Sequence, residues 1–129
     1  MPAYDSVLFV PPAPVARVTL RHPDNGALRG DVPMLLDTGA DVTLLPHNAV
    51  IELGVTAQTD KQYELINFEG HVSLASVVRL EIVFLDLTFR GQFLLIEQDW
   101  GIIGRNILSA VSLLFDGPHL TWDKFKAVA

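Results

Sequence analysis

Alternation of apolar and polar residues runs through short segments of the chain, a pattern that is typical of half-buried β-strands. Residues 15–20 alternate around Arg17 and Thr19, and the pair Asn25-Gly26 that follows them is typical of a hairpin turn. Residues 27–36 form a second run with strand character. The two segments therefore predict a hairpin whose second strand ends just before Asp37.

Short strands continue beyond this hairpin, and one short helix interrupts them. Pro46 opens the helix and Gly54 ends it, because proline suits the first turn of a helix and glycine suits the position after its last residue. The predicted order is a strand over 42–45, the helix over 47–53, a polar loop over 56–61, an extended segment over 62–67, a hairpin tip at 68–70 and an extended segment over 71–75.

β-Branched and aromatic residues dominate the second half of the chain, with partial alternation. Gly91 interrupts this pattern and predicts a bulge or a bend. The predicted order is a long hairpin over 77–85 and 87–97, a connector over 97–100, a strand over 101–104, a helix over 105–110, and a last hairpin over 111–115 and 119–122 around a turn at 116–118. Many short strands with two short helices predict an all-β fold, built as a closed or folded-over sheet.

The composition is that of a single globular domain. The chain has 129 residues, of which 50% are hydrophobic and 19% are charged, so it has enough apolar surface to form a core. Its formal net charge is -6 and no run of lysines and arginines stands out, so we expect no nucleic-acid partner. The absence of cysteine excludes disulfides and thiol catalysis, and it fits a reducing compartment.

The first residues differ from the rest in their proline content. Residues 1–14 carry four prolines and predict an extended, proline-rich arm, which leaves residues 15–129 as the domain. No basic segment followed by an apolar one marks a signal peptide. The most apolar stretch, 72–96, is broken by charged residues, so we expect no membrane span and a cytoplasmic location.

The strongest candidate for chemistry is the stretch that follows the first hairpin. Leu35-Leu36 runs into Asp37-Thr38-Gly39-Ala40-Asp41, and apolar residues resume at Val42. An Asp-Thr-Gly tripeptide on its own is most often a turn or a helix cap. An aspartate between apolar strands is also a candidate for carboxylate chemistry, and a second apolar-glycine element, Ile102-Ile103-Gly104-Arg105-Asn106, lies near the end of the chain.

With these two motifs in this order, the chain resembles the retropepsin-like (retroviral-type) aspartic proteases from about residue 15 to residue 122. A hairpin tip at Asn67-Phe68-Glu69-Gly70 lies between the motifs, where that family has its flap. The resemblance implies a closed β-barrel lobe with one or two short helices that acts as a two-fold homodimer. It also implies an aspartic endopeptidase that acts on peptide or protein substrates and needs no metal and no cofactor.

The resemblance further implies a catalytic dyad of two aspartates that hold one water between them. One carboxylate takes a proton from the water as it attacks a peptide carbonyl, and the other, protonated, donates a hydrogen bond to the carbonyl oxygen. The pair shares one proton because two like charges so close together cannot both ionise. This chain has one Asp-Thr-Gly, so Asp37 is expected once from each of two subunits.

The same resemblance gives roles to the neighbours of Asp37. Thr38 is expected to bond across the two-fold axis, and Gly39 to let the backbone approach the partner subunit and the substrate. Asp41 and Arg105 are expected to form an ion pair behind the turn. The expected support of the site is Ile103, Gly104, Arg105 and Ile107, and the expected substrate-binding residues are Ala40, Asp41, Asn67, Phe68, Glu69 and Gly70.

The C-terminal end departs from the viral pattern. Residues 113–122 predict a complete hairpin that is longer than the viral end, which brings the chain closer to the cellular and bacterial single-lobe members. We therefore expect the dimer sheet to be built from these hairpins. The proline-rich arm is then expected to be free or draped outside.

Two other functions remain open from the sequence. One is a retropepsin-fold dimerisation or peptide-binding module with weak catalysis, and the other is a small β-barrel ligand binder.

The four histidines are scattered and predict no metal site. Tyr63 is expected in the core. Ala40 cannot donate a hydrogen bond to the carboxylate as a serine would, so activity is expected to extend from acid toward neutral pH.

Overall fold

Strands make up most of the protein in the computed structural model, which describes residues 2–66 and 69–126, with the backbone alone described for residues 59–61. The strands are β1 (Tyr4–Asp5), β2 (Ala13–Arg21), β3 (Leu28–Leu36), β4 (Leu44–Pro46), β5 (Gln58–Ile66), β6 (Val72–Phe84), β7 (Leu87–Ile96), β8 (Gly101–Ile103), β9 (Leu113–Asp116) and β10 (Thr121–Lys124). The helices are α1 (His47–Leu53), α2 (Arg105–Leu108) and a single 3-10 turn over Gly117–His119. The predicted all-β class with short helices is confirmed.

Eight of these strands form a sheet that closes on itself. Their order is β1-β2-β3-β8-β4-β7-β6-β5, and β2 pairs a second time, with β6. Thr19 of β2 lies opposite Val83 of β6, whereas Val15 lies opposite Leu35 of β3. The pairing of β2 with β3 shifts register between Val18 and Leu20, and such an irregularity bends a strand. The bend lets β2 serve two neighbours, and the sheet becomes a barrel.

The short strand β8 fixes the position of the segment that follows β3. It runs parallel to β3, with Leu36 opposite Ile103, and antiparallel to β4, with Leu44 opposite Ile102. β3 and β8 therefore end side by side. This pairing brings Asp37, which comes after β3, next to the residues that come after β8.

Apolar residues fill the barrel and form a second, smaller cluster beside it. Leu20, Leu45 and Ile103 are fully buried in the main core. The middle of β6 is buried on both faces, since Val78 packs into the main core and Val77 into the second cluster. We call this second cluster the side cluster; it contains Leu44, Ala75, Val77 and Leu94, with Val42, Leu65, Ile96 and Ile102 packed against it.

Several element boundaries differ from the sequence-based prediction. The polar loop predicted over 56–61 is wrong in part, because β5 begins at Gln58 and forms an edge strand of the sheet. The segments predicted over 71–75 and 77–85 form the single strand β6. The bulge predicted at Gly91 is absent, since Gly91 pairs with Leu80 in an unbroken register. α2 ends at Leu108, two residues before the predicted end.

The proline-rich arm was expected to be free or draped outside; it is not free, since it is paired with its own domain. Tyr4 of β1 lies opposite Pro14, and its backbone N–H donates to the Leu120 carbonyl at 2.8 Å. The backbone N–H of Trp122 donates to the Pro2 carbonyl at 2.9 Å. The unpaired edges of β2 and β10 take up the arm because each offers backbone groups that need partners. The arm thus connects the C-terminal hairpin to the barrel.

An arginine-carboxylate cluster marks the outer end of the β6–β7 hairpin. Arg21 and Arg90 contact the Glu81 carboxylate at 2.6 Å and 2.5 Å. The hydrogen bond from Arg21, together with the positive charges of both arginines, holds the pKa of Glu81 below its usual value.

Within the described residues, no helix has the length and apolar character that a membrane crossing requires.

Candidate active site

Asp37 lies at the point where β3 leaves the sheet. Its backbone N–H still donates to the Ile103 carbonyl of β8 at 3.1 Å, which extends the parallel pairing by one residue. Its side chain is half-buried. Because Leu36 and Ile103 are both in the core, the strands on either side fix the position of the backbone that carries this carboxylate.

Residues 37–40 form a tight turn that orients the Asp37 carboxylate. Asp37 Oδ1 accepts a hydrogen bond from the backbone N–H of Gly39 at 2.9 Å, and the Ala40 N–H donates to the Asp37 carbonyl at 3.2 Å. A Cβ atom on Gly39 would lie 3.1 Å from Asp37 Oδ1, so a side chain at this position would press on the carboxylate. Asp37 Oδ2 makes no hydrogen bond to another described residue. One carboxylate oxygen is therefore held and the other is available.

Gly104 and Arg105 hold this turn from behind. A Cβ atom on Gly104 would lie 2.2 Å from the Val42 carbonyl oxygen, so the two segments meet more closely than any other residue allows. The Arg105 backbone N–H donates to the Ala40 carbonyl at 2.8 Å, and its guanidinium Nη1 donates to the Thr38 carbonyl at 2.7 Å. The start of α2 is thereby joined to both ends of the Asp37 turn.

The prediction of an ion pair between Asp41 and Arg105 is wrong, since the two side chains form none within the described subunit. Asp41 is exposed, and the Arg105 guanidinium binds the Thr38 carbonyl instead of the Asp41 carboxylate. The backbone bond from Arg105 to Ala40 places the arginine over the turn, from which the nearest acceptor is a carbonyl. Arg105 does support the turn, but through backbone oxygens.

A buried side-chain bridge between Thr43 and Asn106 was missed by the sequence analysis. Thr43 is 1% exposed; its Oγ1 accepts from the Gly104 N–H at 3.1 Å and donates to Asn106 Oδ1 at 2.7 Å. Thr43 thus connects the segment after the turn to Gly104 and α2. The available signal was a single hydroxyl residue inside an otherwise apolar run, since a polar group in a core needs a partner.

The flap residues are placed only in part. Asn67 and Phe68 lie outside the described residues. Glu69 and Gly70 are exposed at the end of the β5–β6 hairpin, and Gly70 has a φ of 80°, in the region that favours glycine. Between the described residues, no hydrogen bond joins Gly70 to the Asp37 turn. The hairpin tip is where the sequence predicted it.

The side cluster lies directly beside the turn. Ile102 precedes the residue that binds the Asp37 N–H, and it packs with Val42 and Leu44. Leu65 of β5 packs against the same cluster, so the cluster lies between the turn and the flap hairpin. Tyr63, which was expected in the core, is 52% exposed, because it lies at the edge of the sheet where the hairpin projects.

The arrangement can perform carboxylate acid-base chemistry. Asp37 presents a fixed carboxylate with one available oxygen, and general bases of this kind take a proton from a bound water. Ile103 and Ile107 are 0% and 1% exposed and form the rigid base beneath it. No three histidine, aspartate or glutamate side chains of the described residues are grouped as a metal site would need.

Comparison with known proteins supports the fold. No family model matches the chain, and no curated protein matches its sequence. Among solved structures, the fold is similar to that of EIAV protease complexed with the inhibitor HBY-793, at 21% sequence identity and a TM-score of 0.56. The similarity covers 76% of this chain and 86% of that chain. The protein therefore has a retropepsin-like fold.

Proposed function

We propose that the protein is an aspartic endopeptidase that works as a homodimer and hydrolyses peptide bonds in extended polypeptides. The observation that carries the proposal is the Asp37 turn, whose carboxylate has one oxygen bound to Gly39 and the other available. The turn lies in a fold that is similar to that of a retroviral protease. The contacts that Gly104, Arg105 and Thr43 make behind the turn also support the proposal, because catalysis requires a carboxylate at a fixed position.

The proposed mechanism uses two copies of Asp37 and one water. The ionised Asp37 takes a proton from the water as the water oxygen attacks the peptide carbonyl carbon. The protonated Asp37 of the other copy donates a hydrogen bond to the carbonyl oxygen and stabilises the charge that develops there. The proton taken from the water then passes to the departing amine, which leaves a free carboxyl end and a free amino end.

The second copy is proposed because a single subunit supplies one such carboxylate. The C-terminal hairpin of β9 and β10 is the proposed contact surface. β10 is covered on its second side by the arm, whereas β9 has no other strand partner among the described residues. Unpaired strand edges favour pairing with another chain. Exposed apolar side chains on and next to this hairpin are Leu114, Phe115, Leu120 and Phe125.

Replacing Leu114 by Arg is expected to weaken the dimer by roughly tenfold or more. The change removes an apolar contact and buries an unpaired charge in its place, and losses at the few dominant residues of an interface have this size. Leu114 is 51% exposed in the single subunit, so the fold itself tolerates the change. Sedimentation velocity over a range of protein concentrations measures the dimer dissociation constant. Cleavage at low protein concentration is expected to fall in parallel.

Leu28→Arg is the matched control for this prediction. Leu28 is 66% exposed at the start of β3 and lies outside the C-terminal hairpin. The control protein is expected to dimerise and to cleave like the wild type. Equal dissociation constants for the two variants would show that the C-terminal hairpin is not the dimer contact.

The side cluster suggests the type of peptide that is cleaved. Val42, Leu65 and Ile102 pack against this cluster and are each only half-buried, so they retain exposed apolar surface. Tyr63 and Ile66 of the hairpin are exposed and add apolar surface. A substrate with apolar residues on both sides of the cleaved bond buries this surface, which stabilises the complex. We therefore propose a preference for apolar residues at the cleavage site.

A peptide library tests the proposal directly. The purified protein is incubated with mixed extended peptides from pH 3 to pH 8, and the products are identified by mass spectrometry. Cleavage between apolar residues is expected, with a specific activity that rises with protein concentration until the dimer is fully formed. A protein that cleaves none of the peptides at any pH, while forming a dimer, is instead a binding or dimerisation module.

Replacing Ala40 by Ser is expected to move the pH-rate profile toward acid by roughly half a unit to one unit. A hydroxyl at this position donates a hydrogen bond to the ionised carboxylate, and a hydrogen bond of about 1 kcal/mol corresponds to a shift of about that size. Ala40 is half-buried and adjoins the turn, so the hydroxyl is partly shielded from water. The profile of kcat/KM between pH 3 and pH 8 measures the shift. Two superimposable profiles would contradict the expectation.

A further inference from the structure

A small hollow lies beside the Asp37 turn, on the face of the sheet that carries the side cluster. Its volume is about 170 Å³. Leu94 of β7 forms its floor, and Val77 of β6, which lies opposite Leu94, is fully buried beneath it. Val42 and Thr43, which follow the turn, and Asn106 of α2 form its wall. The two segments that hold Asp37 in place therefore also line this hollow.

The rim of the hollow is polar and rich in hydrogen-bond donors. Tyr63 of the flap hairpin and Gln92 of β7 lie on the rim, and both are exposed. The Gln92 side chain makes no hydrogen bond to another described residue. Among the described lining residues, none is acidic. The hollow thus combines an apolar floor with a rim that favours hydrogen-bond acceptors.

Asn106 lines this hollow and carries an amide NH₂ with two donor hydrogens. Thr43 Oγ1 accepts the Gly104 N–H and donates its own proton to Asn106 Oδ1, so the oxygen of the Asn106 amide faces Thr43. The amide NH₂ of Asn106 consequently points away from Thr43. It makes no hydrogen bond to another described residue.

Arg79 places a positive charge next to the hollow. It lies opposite Gln92, and paired residues in an antiparallel sheet have Cβ atoms about 5 Å apart on the same face. The Glu81 carboxylate, two residues further along β6, already contacts Arg21 and Arg90. The exposed Arg79 guanidinium has no ion pair or hydrogen bond with any residue whose side chain is described, a set that does not include residues 59–61. Among those described side chains, none takes up its charge.

We infer that this hollow is a substrate subsite that takes an acidic side chain, aspartate or glutamate, with Arg79 as the countercharge. The side chain's methylene groups contact Val42 and Leu94, and its carboxylate accepts hydrogen bonds from Asn106 and Gln92. The inference rests on the proposed peptidase function and adds to it a position of defined charge. The preferred peptide then combines apolar residues at the cleaved bond with one acidic residue further along the chain.

Matched peptides test the inference. Each shares one apolar cleavage site, and a single position on either side of it is Glu, Gln or Lys. At one position, kcat/KM for the Glu peptide is expected to exceed that for the Gln peptide by roughly threefold to fivefold, the effect of one partly exposed ion pair. The protein carries a formal net charge of -6, so its overall field opposes acidic peptides and cannot produce this preference.

Variants of two arginines assign the preference to its source. Arg79→Gln is expected to remove the difference between the Glu and Gln peptides, and Arg79→Glu is expected to favour the Lys peptide. Arg90→Gln makes the same change of charge on the same face of the hairpin, next to Glu81. The Arg90 variant is expected to keep the Glu preference. Equal losses in Arg79→Gln and Arg90→Gln would mean a general charge effect and would overturn the inference.

A binding measurement separates this inference from the proposed function. The Asp37→Asn protein is titrated with fluorescent Glu and Gln peptides, and their dissociation constants are compared by anisotropy. Tighter binding of the Glu peptide that is lost on adding Arg79→Gln supports the subsite, whether or not the wild type cleaves peptides. A wild type that cleaves nothing counts against the proposed peptidase function but not against the subsite. Equal affinities for the Glu and Gln peptides overturn the subsite whatever the cleavage result.

Discussion

Asp37→Asn is expected to lower kcat/KM for peptide cleavage by at least about a thousandfold, within the range that general acid-base groups contribute. The amide keeps an oxygen that accepts the Gly39 N–H, so the turn is preserved. It cannot take a proton from water, and in a homodimer both catalytic groups are lost together. The cleavage rate of the best library peptide, followed at its optimum pH, measures the effect.

Asp86→Asn is the control for this change. Asp86 lies in the β6–β7 turn with a φ of 63°, a conformation that asparagine tolerates, and it is exposed. The control is expected to cleave like the wild type, and both variants are expected to sediment as dimers. Cleavage at the wild-type rate by Asp37→Asn would exclude the aspartic mechanism.

Mixing the two proteins tests whether one site needs both copies. When wild-type protein is mixed with excess Asp37→Asn, exchange of subunits produces dimers that hold one ionisable Asp37. Wild-type activity is then expected to fall toward zero as the excess grows, although no wild-type protein is removed. An activity that stays proportional to the wild-type protein alone would show that a single subunit is sufficient. The same mixture with Asp86→Asn is expected to remain active.

The sequence predicted those parts of the fold that depend on neighbouring residues. Asn25-Gly26 and the alternation around Arg17 predicted the first hairpin, and Pro46 and Gly54 predicted α1 between them. Each of these signals acts over a few residues, through turn geometry or strand alternation. The Asp37 turn was predicted in the same way, from apolar strands that end at small residues.

The parts that the sequence did not predict depend on pairs of residues far apart along the chain. Thr43 meets Asn106, and Arg105 meets the Thr38 carbonyl, because β8 inserts between β3 and β4. No local pattern specifies that insertion. The pairing of the arm with β10 likewise follows from where two backbone edges meet. A charged partner for Arg105 was expected, whereas its guanidinium donates to the Thr38 backbone carbonyl, an acceptor that every residue carries and no sequence pattern marks.

Gly104→Ala is expected to destabilise the protein by roughly 3 kcal/mol or more and to abolish activity. The added methyl group would lie 2.2 Å from the Val42 carbonyl oxygen and 3.0 Å from that of Ala40, and both are backbone atoms that cannot rotate away. Overpacking costs about 1–3 kcal/mol, and loss of the buried bond from the Gly104 N–H to Thr43 adds about 1–3 kcal/mol. Urea unfolding at a fixed protein concentration measures the change.

Gly91→Ala separates this close approach from the general effect of replacing a glycine. A Cβ atom on Gly91 meets nothing within 4 Å, and the residue lies in a regular strand, where alanine is favoured over glycine by about 0.5–1 kcal/mol. The control is therefore expected to unfold at equal or higher urea concentration and to remain active.

Activity is more sensitive than stability at position 104, because a shift of Gly104 moves Arg105 and with it the bonds to Thr38 and Ala40 that orient Asp37. If Gly104→Ala matched Gly91→Ala in both stability and cleavage, the contact between Gly104 and Val42 would not be what fixes the catalytic turn.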